Sequence, residues 1–178
     1  MRLILPATRP LGYAWRMHDS PAAAHASSLR IILPDAAATE ALGARLGLTL
    51  RAGDVLALRG DLGMGKSTLA RAAIRAALAE PELAVPSPTF TLVQSYDGPD
   101  CAIWHVDLYR LEGPEDALEL GLDEAFAEAA TLIEWPDRLG PYLPVDRLDI
   151  TLGEDGDGRL AEIQAGPSWT TRIEELRP

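Results

Sequence analysis

Regular alternation of apolar and polar positions begins at Leu29 and divides the rest of the chain into short strands and helices. Leu29 to Leu33 reads as a strand, and Asp35 can cap a helix running to about Leu48. Arg51-Ala52-Gly53-Asp54 turns the chain into Val55-Leu56-Ala57-Leu58, an apolar run suited to a buried strand. Ser67 to Leu78 is rich in helix formers, with Leu69, Ile74 and Leu78 near helical spacing. Pro81, Pro86 and Pro88 mark an irregular connection. Phe90 to Tyr96 and Ala102 to Val106 then form a hairpin about the turn Asp97-Gly98-Pro99-Asp100. Gly113-Pro114 opens a short acidic helix reaching Leu120, a second helix follows from about Asp123 to Ala129, and Thr131-Leu132-Ile133 is a brief buried strand. Arg147 to Leu152 and Arg159 to Gln164 flank a segment of glycine and acids as another hairpin, after which Ser168 can cap a closing helix. Two hairpins beside strand–helix units predict an α/β fold, a mixed parallel and antiparallel sheet with helices on both faces.

Ahead of this pattern, Pro6, Pro10, Pro21 and the small residues Ala22 to Ser28 interrupt any long periodic element. Residues 1–28 are therefore expected to be a disordered N-terminal extension and residues 29–178 one domain, with Met17 a second candidate start. His18 and His25 fall in the extension and receive no role.

The junction between the second strand and its helix carries the chemistry. Gly60-Asp61-Leu62-Gly63-Met64-Gly65-Lys66-Ser67 is a complete G-x-x-x-x-G-K-[ST] phosphate-binding loop, followed by Thr68, and it lies between a strand and a helix as that motif requires. Glycines allow the torsions and close approach by which successive N–H groups turn toward phosphate oxygens, and the helix adds its positive end. Lys66 is the only lysine in a chain whose lysines and arginines together number 16. Its compact ammonium threads where a planar guanidinium does not, and reaches the β- and γ-phosphates. The Ser67 hydroxyl is then placed for Mg²⁺. These features make the expected domain P-loop NTPase-like.

Such a loop needs a carboxylate. Two apolar strands end in one: Ile103-Trp104-His105-Val106-Asp107 and Leu132-Ile133-Glu134. Acids at strand ends lie where open α/β sheets bind ligands. Glu134 is assigned to Mg²⁺ and Asp107 to orienting or deprotonating an attacking water, although their positions alone also permit the reverse. Ser87-Pro88-Thr89 reads equally as a hydroxyl-bearing turn that senses a γ-phosphate and as an ordinary strand entry. His105 reads equally as a structural histidine, Arg110 as a phosphate contact or an ion-pair partner of the acidic helix, and Trp135 as core or a shield against water.

Composition narrows the partners. A formal net charge of −11 opposes unaided capture of a polyanion such as RNA or an acidic membrane. One cysteine, Cys101, permits no intrachain disulfide, and no apolar run approaches a membrane span of about 18 residues, so a cytoplasmic protein is expected.

The loop block, Ser87-Pro88-Thr89-Phe90-Thr91-Leu92-Val93, His105-Val106-Asp107-Leu108-Tyr109-Arg110-Leu111 and Ile133-Glu134-Trp135-Pro136 occur in an order and spacing that resembles the TsaE family, the bacterial ATPase component of the tRNA threonylcarbamoyladenosine machinery. The likeness runs from about Leu29 to the C-terminus. It implies an ATP hydrolase that uses ATP and Mg²⁺, with Ser67 and Glu134 as metal ligands and Asp107 catalytic. It also implies two partner proteins that modify adenosine beside the anticodon of tRNAs reading ANN codons, tRNA being met only through them. Thr39 becomes a nucleotide-side contact on the same ground. Met64 replaces the family's usual alanine. Two other classes compete: a small-molecule kinase, for which the chain lacks a long basic lid insertion, and a nucleotide switch of GTPase type, whose N-K-x-D motif is impossible when Lys66 is the only lysine.

Overall fold

The computed structural model describes residues 27–178. Met17, His18 and His25 lie outside the described residues. Strand β1 (Ser27–Leu33) begins two residues ahead of the expected boundary and pairs along its length with the last strand. Helix α1 (Ala36–Thr49) starts at Asp35, whose carboxylate accepts from the Ala38 amide at 2.8 Å. Strand β2 (Val55–Arg59) leads through the glycine loop into helix α2 (Lys66–Ala77). Strands β3 (Val93–Asp97) and β4 (Ala102–Asp107) form the first hairpin. A 3₁₀ segment (Pro114–Leu120), helix α3 (Leu122–Glu128) and strand β5 (Ala129–Glu134) follow. A second 3₁₀ segment (Pro136–Tyr142) then connects to the hairpin of β6 (Leu148–Asp155) and β7 (Gly158–Ala165).

These strands make one seven-stranded sheet in the order β1-β7-β6-β2-β5-β4-β3. Its centre is parallel, β4 beside β5, β5 beside β2 and β2 beside β6, while both margins are antiparallel hairpins. All six residues of β5 are buried, as a central strand covered on both faces demands. On one face α1 and α2 cover Leu56, Leu58, Leu132 and Ile150. On the other, Val55, Val106 and Ile133 pack with Leu111 of the segment after β4, Ala117 and Leu139 of the 3₁₀ segments and Leu122 of α3. The expected mixed sheet with helices on both faces is thus observed. Glycines let α1 approach α2 closely: a Cβ at Gly47 would lie 2.1 Å from the Ala73 carbonyl oxygen.

Three local expectations fail. Phe90 does not open a strand, because Leu92 takes a left-handed φ of 63° and donates its amide to Pro88 O, making a tight turn that leaves Phe90 84% exposed. The acidic helix from Pro114 is 3₁₀ rather than α. Ser168 caps nothing; its amide and hydroxyl both donate to Asp146, and the chain closes in two short 3₁₀ turns, Pro167–Trp169 and Ile173–Leu176. That closing segment is fastened by Arg172, which makes a buried two-pronged pair with Asp54 at 2.6 and 2.8 Å.

Candidate functional site

The loop between β2 and α2 curls because Gly60, Gly63 and Gly65 have φ of 127°, 85° and 103°. Left-handed torsions are accessible to glycine without strain, and repeated in so short a span they form the backbone concavity that binds anions. Gly60 has a second requirement, since a Cβ there would come 2.3 Å from the Leu152 carbonyl oxygen of the neighbouring strand. Met64 is partly buried, packing against the core and also lining the cavity beside Thr39. Asp61 and Leu62 are exposed at the crest, and Ser67 and Thr68 are half-buried in the first turn of α2.

Lys66 is buried, and its ammonium donates to Gly60 O at 2.6 Å and Asp61 O at 2.8 Å. It lies 4.2 Å from the centre of the Trp135 ring. Burial lowers its pKa from the ordinary lysine value, while Glu134, Asp107 and Asp61 pull it back toward the charged form. Trp135 reaches this place by a left-handed φ of 59°, which for a residue with a Cβ costs on the order of 1–2 kcal/mol. The indole also meets the Tyr109 ring at 5.1 Å. Trp135 also packs against the core cluster of Val55, Val106 and Ile133, so its place has features of both sequence readings.

The two acids come together. β4 and β5 are parallel with Asp107 in register with Glu134, so both carboxylates leave the same face at the same sheet edge. Glu134 Oε2 accepts from the Ser67 hydroxyl at 2.9 Å, and Oε1 lies 2.9 Å from His105 Nε2. Asp107 accepts from Thr89 Oγ1 at 2.8 Å and from the Tyr109 amide at 3.0 Å. Ser87 completes a short chain of hydroxyls, 2.8 Å from Thr89. All these acids and the lysine are at least 95% buried, Glu134 with 3% of its surface exposed and Asp107 and Lys66 with 4%. Side chains from four separated motif blocks thus converge at the start of α2, where its positive end favours anions.

Other candidates divide. Thr39 is buried and faces the loop beside Gly65, lining a cavity of about 220 Å³ with Pro34, Met64, Thr68 and Arg159. The Arg110 guanidinium stacks 4.6 Å from the exposed Phe90 ring. Sequence reasoning missed the ties that brace the site. Arg59, just before the loop, pairs with Asp149 at 3.0 Å and with Asp137 in the turn after Trp135. The alternation of β4 put His105 on the Asp107 face, but no sequence signal joined it to Glu134.

The strand–glycine loop–helix unit within this mixed sheet places the chain in the class of P-loop NTPase-like α/β proteins. Comparison with known proteins narrows the class. The family model described as threonylcarbamoyl adenosine biosynthesis protein TsaE matches residues 33–161. Proteins named tRNA threonylcarbamoyladenosine biosynthesis protein TsaE are similar to it: that of Rickettsia bellii is 41% identical over 65% of this chain and 80% of its own. The Nostoc relative is 41% identical over 75% and 84%, and the Bacillus subtilis relative 36% identical over 78% and 87%. The crystal structure of Bacillus subtilis YdiB aligns with a TM-score of 0.69 at 30% identity, covering 84% of this chain and 94% of that one. This chain belongs to the TsaE family. No helix among the described residues is long and apolar enough to cross a membrane.

Proposed function

We propose that the protein is a magnesium-dependent ATPase serving tRNA threonylcarbamoyladenosine formation, its hydrolysis of ATP resetting a complex of two partner proteins that carry out the transfer. The observation that supports this most is the 2.9 Å bond from Ser67 to Glu134 behind a glycine loop that holds a buried lysine. A hydroxyl and a carboxylate are hard oxygen donors, and Mg²⁺ is ordinarily held by one or two such groups together with substrate phosphates. Ser67 and Glu134 would hold the ion, whose chemistry there is to neutralise charge on the phosphate oxygens.

The chain's own groups supply the rest. Backbone amides of Gly60 to Thr68 cradle the phosphates, and Lys66 leaves its two loop carbonyls to reach the terminal ones. The cavity at Thr39 accommodates the nucleoside. Asp107, oriented by Thr89 and the Tyr109 amide, aligns the attacking water and accepts its proton. Trp135 and Tyr109 keep bulk water from this end of the site. With a net charge of −11 and its lone lysine in the loop, the protein meets tRNA through its partners in the cytoplasm.

The test is ATP turnover by the protein alone, with tRNA, and with the partner pair. Turnover should rise with the partners and not with tRNA alone, because hydrolysis useful only within an assembly is best gated by docking. Strong stimulation by tRNA alone, or none by the partners, contradicts the proposal.

A further inference from the structure

His105 is completely buried within β4, and the proposed chemistry does not use it. Its Nε2 lies 2.9 Å from Glu134 Oε1, while its Nδ1 is buried with no hydrogen-bond partner among the described residues. A neutral imidazole has one N–H and one bare nitrogen, and an ionised carboxylate can only accept. A proton on Nε2 lets the ring donate to Glu134, and Nδ1 then faces no partner among the described residues. Burying an acceptor without a donor opposes folding, and the surrounding face of the sheet, with Ile103 on β4 and Leu132 in register on β5, would suit an aliphatic side chain. A histidine held there at a structural disadvantage points to its one bond.

That bond completes a clamp. Glu134 Oε2 is taken by Ser67 on the loop helix and Oε1 by His105 on the central sheet, so the carboxylate is fixed from both sides. We propose that His105 is a positioning residue: by donating from Nε2 to Oε1 it holds Glu134 in the orientation that turns Oε2 toward Ser67 and the metal. Partners behind a ligand carboxylate commonly govern metal affinity in this way. The inference rests on the reading of Ser67 and Glu134 as the magnesium-holding pair.

Equilibrium ATP binding measured in EDTA and across a MgCl₂ series separates the possibilities, using wild type, His105→Leu, His105→Gln and Glu134→Ala, each with its denaturation midpoint. The glutamine amide nitrogen can take the place of Nε2. His105→Leu should raise the Mg²⁺ concentration required by about tenfold or more, leaving binding in EDTA unchanged, and His105→Gln should restore most of the loss. A folded His105→Leu with wild-type Mg²⁺ dependence, while Glu134→Ala is shifted, overturns the role of His105 alone. No shift in Glu134→Ala overturns the magnesium reading and this inference with it. Should His105→Leu fail to fold, imidazole ¹⁵N shifts of the wild-type protein decide: a proton on Nε2 supports the clamp, and a bare Nε2 with the proton on Nδ1 overturns it.

Discussion

Two of the buried groups of charge among the described residues are finished differently. At the C-terminal closure, Arg172 grips both oxygens of Asp54, donates again to Thr49 O at 2.9 Å, and lies 3.8 Å over the Trp169 ring. Asp54 also accepts the Arg51 amide at 2.8 Å. This pair is satisfied within itself and buried on every side. At the loop, Lys66 bonds two backbone carbonyls, and Glu134 and Asp107 bond hydroxyl, amide and imidazole groups. Its lysine pKa is lowered by burial. The closure spends its charges on one another; the loop keeps them directed at something else. A buried pair that closes on itself holds segments together, whereas like burial without charge-to-charge closure marks a site prepared for a ligand.

Breaking each group should then have opposite consequences. Arg172→Ala leaves Asp54 buried without its counter-charge and should cost about 3–5 kcal/mol, read from the urea midpoint, with ATP affinity unchanged in the folded protein. A loss of ATP affinity at unchanged stability would erase the distinction. Asp107→Asn should do the reverse, slowing ATP turnover by about 10²-fold with a near wild-type midpoint, since the amide has the carboxylate's shape, its oxygen can accept from the Tyr109 amide and its nitrogen can donate to the Thr89 hydroxyl, while the base is lost. Helix α1 joins the two regions, as Thr49 O accepts from Arg172 at one end and Thr39 lines the loop cavity at the other. Gly47→Ala drives a methyl against Ala73 O and should destabilise by about 1–3 kcal/mol in thermal unfolding. Asp35→Ala removes the N-cap bond and should cost about 1 kcal/mol, the smallest of these effects.

The same division explains what could be read from the sequence. Gly60 to Thr68 is contiguous, and a motif whose mechanism depends on local backbone needs no knowledge of the fold. Asp107 and Glu134 were legible because each ends an apolar strand, and strand ends in this class of sheet share an edge. The bond of His105 to Glu134 required the register of β4 against β5, which alternation within one strand does not specify. Arg172 and Asp54 are 118 residues apart, and neither is set off from other surface-type charges by its neighbours. Phe90 was misplaced because its apolar run reads as a strand, while the turn at Leu92 depends on a tertiary bond from the Asp107 amide to Leu92 O at 2.9 Å. Ser168 failed for a related reason: Asp146, far away in sequence, took both of its donors.

The most direct test of the central claim is equilibrium binding of ATP, with Mg²⁺ present, to wild type and to Lys66→Ala. The account predicts saturable binding by the wild type and none by the variant over the same concentrations, with both unfolding at closely similar midpoints, because the substitution removes the one ammonium held at the loop. Equal affinity in a folded Lys66→Ala protein would contradict it.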